Sequence, residues 1–218
     1  MSHECTEERF LRDVADHVMT VIRDDGASRH IRFAKPGTGC MHFDLITWPG
    51  YLCYTGDMGT YVFSRLTDMF EFFRTDREYK KRHHGARLGV NFSYWGEKLQ
   101  SIDRCDGYKN FSPAKFKANA MDFVDQHGLS GKLGHGLRDE LNEAFEIADS
   151  GDANAAYSAI LGIDIQRGHR GAKQAFPDFY EMSSDDYSFR FVWCCYALAW
   201  GIEVYDDAKA AAGKGVPA

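Results

Sequence analysis

Hydrophobic and polar residues alternate along four short segments of the N-terminal half, which is the pattern of half-buried β-strands. The predicted strands cover residues 29–33, 41–47, 51–55 and 60–64. Pro49 and Gly50 suit the centre of a tight turn, because Pro fixes φ and Gly accepts a positive φ. A three-residue turn, Asp57-Met58-Gly59, is expected to join the last two strands. We therefore predict a four-stranded antiparallel meander.

Helical spacing of apolar residues dominates the rest of the chain. The predicted helices cover residues 6–25, 66–74, 112–127, 137–149, 153–161 and 188–205, with a further short helix from Ser93. The last helix is apolar nearly all round, as expected for a helix packed on several sides. The predicted fold class is α+β, a four-stranded antiparallel meander sheet packed against several α-helices, with a helical C-terminal half.

The length of 218 residues favours one domain. We predict a single α+β domain over residues 1–207, sheet-bearing at about 1–110 and helical at about 111–207, and a flexible tail at 208–218. The longest apolar run, residues 191–202, is shorter than the roughly 18 residues that span a bilayer. Residues 1–5 lack a signal-peptide pattern. A cytoplasmic protein with no membrane partner is expected.

Charge and cysteine content narrow the function classes. The net charge is -6 at pH 7, and all of the acidic excess lies in residues 111–218. General duplex DNA binding needs a concentrated basic surface, so this class is disfavoured. The six cysteines form no C-x-x-C pair and several of them lie in apolar patterns, which favours reduced, structural thiols. No metal or nucleophile motif occurs in the sequence, and neither a metal nor a cofactor is predicted.

The predicted sheet has one face that is both polar and aromatic. Counting outward from the turns assigns to this face His42, Asp44, Trp48, Thr55, Tyr61 and Phe63. Such groups can stack on and hydrogen-bond a planar ligand, although an ordinary half-solvated sheet face has the same pattern. The opposite face, which is expected to pack on helices, carries Met41, Phe43, Leu45, Leu52, Tyr54 and Val62.

Two neighbouring segments carry groups that suit an anionic ligand. The turn around Asp57 and Thr60 offers a carboxylate, a hydroxyl and backbone N–H groups, although a plain hairpin turn uses the same residues. The basic run at residues 77–87 is interpreted as a charged loop that either binds phosphate or RNA or is simply solvated. Tyr94, Trp95 and Lys98 follow this run, and their aromatic rings can stack on a nucleotide or pack in the core.

Three strings in the first half of the chain carry a resemblance. FDLITWPG and GDMGTYVFSR, with the DMFEFFR that follows, lie within residues 43–74. In them the chain resembles a family of uncharacterised proteins of bacteriophages and prophages, and NFSYWGEKL at residues 91–99 is similar to a second block. The resemblance brings no catalytic residues. It implies a context, since small phage accessory proteins of this size often inhibit host defence.

These observations lead us to predict a phage-encoded accessory binding protein that acts in counter-defence, in the host cytoplasm, by sequestering a nucleotide signal. The predicted ligand-binding residues are His42, Asp57, Thr60, Tyr61, Arg65, Tyr94, Trp95 and Lys98. Two alternatives stay open, an inhibitor that binds a host defence protein directly and an enzyme that cleaves a nucleotide or nucleic acid. Ligand identity and homo-oligomer formation are not determined by the sequence.

Overall fold

The computed structural model describes residues 4–84, 87–104, 107–129, 135–165 and 173–214. Its elements in chain order are α1 (Glu7–Asp13), β1 (Val18–Asp25), β2 (Ser28–Ala34), β3 (Phe43–Trp48), β4 (Tyr51–Gly56), β5 (Gly59–Ser64), α2 (Met69–His84), α3 (Phe92–Gly96), β6 (Leu99–Ser101), β7 (Lys109–Phe111), α4 (Pro113–Gln126), α5 (His135–Asp149), α6 (Ala153–Leu161), β8 (Asp164–Ile165), β9 (Lys173–Gln174), β10 (Asp185–Tyr187) and α7 (Phe189–Lys214). The predicted α+β class is confirmed, but the main sheet has six strands and not four.

Residue contacts divide the chain into two compact units. The first, which we call the sheet unit, comprises Met1–Tyr108 and Tyr187–Ala218. It contains the six-stranded sheet together with α1, α2, α3 and α7. The second, the helical unit, comprises Lys109–Asp186 and contains α4, α5 and α6.

The sheet is antiparallel, with its strands in the order β1-β2-β3-β4-β5-β6. Strands β2 to β5 are the predicted meander, and β1 and β6 extend it at its two edges. Edge strand β1 lies where the sequence pattern predicted the second half of a helix over residues 6–25. The helical prediction is right for α1, where Thr6 accepts a hydrogen bond from the Arg9 N–H at 3.2 Å. It is wrong beyond Asp13, where α1 ends.

Local sequence explains why the chain leaves the helix after α1. The β-branched residues Val18, Val21 and Ile22 favour strand geometry, and all three lie on β1. Gly26 adopts a φ of 58°, and the turn it forms allows Asp25 to pair with Ser28. Once this hairpin forms, β1 is stabilised by a ladder of hydrogen bonds to β2. The apolar spacing within residues 6–25, taken alone, contains no information about this pairing.

The turn between β4 and β5 is one residue shorter than predicted. Gly56 pairs with Gly59, so the loop contains only Asp57 and Met58. Gly59 has a φ of 97°, a conformation that residues with a side chain rarely adopt. A two-residue loop is the commonest connection in β-hairpins.

The shorter turn reverses the two faces of β5, because a shift of one residue moves every side chain to the other side of the sheet. Tyr61 and Phe63 are therefore fully buried on the covered face, and Val62 lies on the opposite face. The prediction that Tyr61 and Phe63 lie on the polar face is wrong. The predicted pairing of Asp44 with Thr55 is confirmed.

Helix α7 packs on the covered face of the sheet and forms the centre of its core. The buried Trp193 ring meets Phe43 and Phe10 edge-on, with ring centroids 5.7 Å and 4.9 Å apart. A Cβ at Gly201 would lie 3.1 Å from the Phe33 ring, so glycine allows the helix to approach the sheet closely. The predicted helix over residues 188–205 is confirmed as a core element, and it continues to Lys214.

Several thiols belong to this core. Cys5, Cys194 and Cys195 are buried free thiols, whereas Cys40 is exposed. Burial raises the pKa of the Cys5 thiol to about 12 and that of the Cys194 and Cys195 thiols well above the ordinary value. They therefore stay protonated at neutral pH and act as small apolar side chains.

Helix α2 is fixed at its beginning by a carboxylate with two functions. Asp68 accepts the Phe70 N–H at 2.9 Å, and it accepts two hydrogen bonds from the Arg29 guanidinium at 2.9 and 2.8 Å. Burial opposes ionisation of Asp68, but the hydrogen bonds and the charge of Arg29 outweigh burial and lower the pKa of this carboxyl. One turn and a half further along, Arg74 makes a bidentate contact with Asp206 of α7.

The bounds of α2 correct two predictions. The helix begins at Met69 and not at residue 66, and it continues past residue 74 to His84. Most of the basic run at 77–87, predicted as a loop, is therefore helical in its backbone. The side chains of Arg77 and of residues 80–84 lie outside the described residues.

The helical unit has its own aromatic core, formed around Phe116, Phe176 and Phe179. Helix α4 begins as predicted, with Pro113 in the first turn and the Ser112 side chain accepting the Lys115 N–H. The predicted bounds of α6 are confirmed, and those of α5 differ by two residues at its start.

Candidate functional site

The eight predicted ligand-binding residues all lie in the sheet unit, but the structure separates them into three groups. The first group is at the β4–β5 turn and contains His42, Asp57 and Thr60. The second is buried in the core and contains Tyr61 and Trp95. The third lies beyond the other end of β5 and contains Arg65, Tyr94 and Lys98. Strand β5 (Gly59–Ser64) lies between the first group and the third, and at about 3.3 Å per residue it is about 16 Å long.

The first group, which we call the turn cluster, is held together by the Asp57 carboxylate. Oδ2 of Asp57 accepts the Met41 N–H at 2.6 Å, and Oδ1 lies 3.2 Å from His42 Nδ1. In return, the Asp57 N–H donates to the His42 carbonyl at 3.1 Å. Met41 has a φ of 57°, unusual for a residue other than glycine, and these contacts hold it there.

Two histidines, His17 and His42, form hydrogen bonds to backbone carbonyls of the loop at residues 39–42. His42 Nδ1 lies 2.6 Å from the Gly39 carbonyl, and His17 Nε2 lies 2.9 Å from the Met41 carbonyl. A carbonyl oxygen can only accept, so each of these ring nitrogens carries the proton in the neutral imidazole. The polar groups of the turn cluster are thus engaged in fixing residues 39–42 against the hairpin.

Thr60, the remaining member of the turn cluster, pairs with Thr55. The two hydroxyl oxygens are 2.9 Å apart across the strands, in an exposed position. Such a cross-strand pair is a common way to stabilise a hairpin.

The buried group contributes to the core. Tyr61 is fully buried, and its hydroxyl donates to the Gly107 carbonyl at 3.0 Å. Trp95 is also fully buried, its ring meets Phe73 edge-on, and its Nε1–H donates to Oδ2 of Asp76 at 2.7 Å. Neither ring presents a surface to a ligand.

The third group borders a groove of about 370 Å³, which we call the α2 groove. Its lining residues are Arg65, Leu66, Phe72, Thr75, Asp76, Tyr79 and Tyr94. The volume lies within the range of about 300 to 1,000 Å³ that is typical of small-molecule sites. The lining is largely aromatic and aliphatic, with a few polar groups, as in most such sites.

Three elements build the α2 groove. Phe72, Asp76 and Tyr79 follow helical spacing and form the wall that α2 provides. The segment after β5 contributes Arg65 and Leu66, whose backbone N–H groups both point to the Met69 sulfur, at 3.1 and 3.4 Å. Helix α3 contributes Tyr94.

Tyr94 is fixed from two sides. The Asn91 side chain caps α3 by accepting the Tyr94 N–H at 3.3 Å, which sets the position of the helix turn. The Lys98 ammonium lies 4.4 Å from the centroid of the Tyr94 ring, within cation–π range. The same ammonium is 3.2 Å from the Glu97 carboxylate. Lys98 therefore supports the aromatic wall of the groove without lining it.

Two charged side chains give the α2 groove its electrostatic character. Within the described part of the chain, the exposed Arg65 guanidinium makes no hydrogen bond and no ion pair. The Asp76 carboxylate is oriented by Trp95 through Oδ2. The Thr75 hydroxyl donates to the Glu71 carbonyl at 3.0 Å, which leaves its lone pairs available. The groove thus combines an available cation, an oriented carboxylate and aromatic rings.

The sequence prediction missed Asp76 and Tyr79 because it ended the helix at residue 74. A signal was present, since Phe72, Asp76 and Tyr79 continue the helical spacing of the preceding residues. The charged residues that follow in the sequence masked this continuation.

Compared with known proteins, the chain matches no family model, no curated protein and no solved structure. No helix within the described ranges is long and apolar enough to cross a membrane. Among these same residues, no three His, Cys, Asp or Glu side chains are grouped so that they could hold a metal ion.

Proposed function

We propose that the protein binds a small nucleotide in the α2 groove and does not transform it. The observation that carries this proposal is the Arg65 guanidinium, without a partner among the described residues, in a groove that Tyr79 and Tyr94 line. A guanidinium can bind a phosphate through two parallel hydrogen bonds. Tyrosine rings can stack on a base, and such stacking contributes about 1 to 3 kcal/mol per base.

The lining of the groove supports binding more than catalysis. Among the residues that the structure describes, the lining contains neither histidine nor cysteine, and the Thr75 hydroxyl already donates to a backbone carbonyl. Two His–Asp pairs of the described chain could serve as a base, His42 with Asp57 and His30 with Asp44, and neither pair lines the groove. A nucleotide in the groove would therefore be held by stacking and charge, and no described lining residue is a hydroxyl or thiol paired with a histidine base.

Together with the resemblance to phage accessory proteins, this proposal suggests a role in counter-defence. A protein that captures a signalling nucleotide in the host cytoplasm would lower its free concentration and silence the defence that responds to it. A second candidate is direct inhibition of a host protein. It is favoured by two hydrophobic lining residues that are well exposed, Leu66 at 42% and Tyr79 at 55%.

Isothermal titration calorimetry with a panel of mononucleotides and cyclic nucleotides tests the proposal. Arg65→Ala removes the phosphate-binding charge, which is worth about 1.5 to 3 kcal/mol, and is expected to weaken binding roughly 10- to 100-fold. Arg23→Ala is the matched control, because Arg23 is an exposed arginine of β1 outside the groove. It should leave affinity unchanged.

Heating the complex and analysing the released ligand separates binding from turnover. Recovery of intact nucleotide supports the proposal, and recovery of a cleaved product supports the enzyme alternative. If the wild type binds no nucleotide of the panel but captures a host protein through Leu66 and Tyr79, direct inhibition replaces nucleotide binding.

A further inference from the structure

We infer that the α2 groove selects guanine nucleotides, with Asp76 as the group that recognises the base. This inference rests on the proposed function, since it names the ligand class of the same site. It begins from the position of Asp76, which lines the groove while one of its carboxylate oxygens is held by the core.

The Asp76 carboxylate is oriented before any ligand arrives. Oδ2 accepts the Nε1–H of Trp95 at 2.7 Å, and this tryptophan is fully buried. Oδ1 accepts no hydrogen bond from the described residues. An ionised carboxylate can only accept, so this oxygen can receive a hydrogen bond from a donor of the ligand. A fixed orientation reduces the entropy that the side chain loses on binding.

Guanine is the common base whose edge fits such a carboxylate. Its N1–H and its 2-amino group are adjacent donors, and they match the two oxygens of one carboxylate, each of which has two lone pairs. Adenine and cytosine place a ring acceptor beside their single amino group, and uracil places carbonyls on both sides of its N–H. In these bases at least one acceptor would face the Asp76 carboxylate, which disfavours them.

Arg65, the second charged side chain of the groove, fixes the orientation of the ligand. Arg65 attracts the phosphate, and Asp76 repels it, so base and phosphate are assigned to different parts of the groove. Phe72 and Tyr79 are seven residues apart, which corresponds to about 10 Å along α2, and this length accommodates a base with its ribose. A guanine nucleotide would thus satisfy the stacking surface and both charges.

A comparison of four purine nucleotides tests the inference in the wild type. GMP is expected to bind at least about 10-fold more tightly than IMP, which lacks only the 2-amino group, and more tightly still than AMP. XMP, in which a carbonyl replaces the 2-amino group, is expected to bind most weakly. Equal affinity for GMP, IMP and AMP would overturn the inference and leave the proposed function intact. Failure to bind any nucleotide would overturn both.

Asp76→Asn provides a test that reverses the preference. The asparagine Oδ1 can still accept from Trp95, whereas its amide now presents a donor to the groove. GMP affinity is expected to fall at least about 10-fold and XMP affinity to rise, as the carbonyl meets the new donor. Glu97→Gln, a neighbouring carboxylate outside the lining, should keep the wild-type order. An Asp76→Asn variant that retains the GMP preference contradicts the assignment of Asp76.

Discussion

The turn cluster and the α2 groove lie at opposite ends of β5, and both combine acidic and polar groups with neighbouring rings. They differ in how these groups are used. In the turn cluster, the Asp57 carboxylate and the His42 ring bind the backbone of the adjacent loop. In the groove, as far as the structure describes the chain, the Arg65 guanidinium has no partner and Asp76 accepts a hydrogen bond through one oxygen only.

This difference shows that chemical variety in a small area does not by itself make a site. A polar group that already satisfies the backbone stabilises the fold, and a ligand could reach it only by breaking that contact. A polar group that faces a groove without an internal partner gains a hydrogen bond when a ligand binds. Variants in the two regions should therefore affect different measurements.

Gly56→Ala should have the largest effect on stability and should break the hairpin that carries the turn cluster. A Cβ at this position would collide with the His42 carbonyl oxygen and lie 2.8 Å from the Phe43 Cα. These are backbone atoms that cannot rotate away, so we expect a loss of about 3 kcal/mol or more in the free energy of unfolding. Urea denaturation measures this loss.

Gly39→Ala is the matched control for this variant, because no atom lies within 4 Å of a Cβ built at Gly39. Its free energy of unfolding should change by less than about 0.5 kcal/mol. Similar midpoints for the two variants would show that the hairpin does not have the close approach described above.

Asp57→Ala should lower stability without lowering nucleotide affinity. It removes the acceptor of the Met41 N–H, and we expect a cost of about 1 to 3 kcal/mol. Calorimetry at a temperature where the variant is folded should give the wild-type dissociation constant. A tenfold weaker affinity with unchanged stability would instead make the turn cluster part of the binding site.

Low pH should lower the free energy of unfolding, because Asp68 stabilises the beginning of α2, the helix that forms one wall of the groove. The pKa of Asp68 is lowered by Arg29, and that of Asp24 is lowered by hydrogen bonding to Lys209. The stabilisation they provide is present above the unfolded-state pKa near about 4 and is lost as pH falls through the lower folded-state values.

Urea midpoints recorded from about pH 6 down to about pH 3 check this dependence. Asp68→Asn should flatten the profile, and Asp25→Asn is the matched surface control, because Asp25 and the Arg23 guanidinium that it contacts are both exposed. An Asp68→Asn profile as steep as that of the wild type would exclude Asp68 as a cause of acid sensitivity.

Thr60→Ala should have the smallest effect of all. The hydroxyl makes one exposed contact with Thr55, so stability and nucleotide affinity should each change by less than about 0.5 kcal/mol. A large loss of affinity would extend the site to the turn cluster and remove the distinction between the two regions.

Local patterns were sufficient to predict much of the fold. A few neighbouring residues are enough to indicate each of three features: the alternation in β2 to β5, the Ser112 cap of α4 and the apolar helix α7. Strand β1 was not predictable in this way, because its apolar spacing also fits a helix and only pairing with β2 decides between them. The length of the β4–β5 turn likewise depends on pairing.

The candidate site was predicted only in part, for the same reason. Arg65 and Tyr94 were identified from their residue types, and both line the groove. Tyr61 and Trp95 were chosen for their rings, but residue type does not reveal that both are buried. Asp76 gains its role from the contact with Trp95, nineteen residues along the chain, and no local pattern contains that contact.

The two-residue turn at Asp57 and Met58 has a consequence for how this protein can change in evolution. Substitutions that keep the length of the turn leave Tyr61 and Phe63 in the core. An inserted or deleted residue would exchange the faces of β5 and expose both rings at once, unless a bulge absorbed it. We therefore expect homologous chains to vary at exposed positions of this hairpin such as Thr60, but to keep Gly56, Gly59 and the number of residues between them.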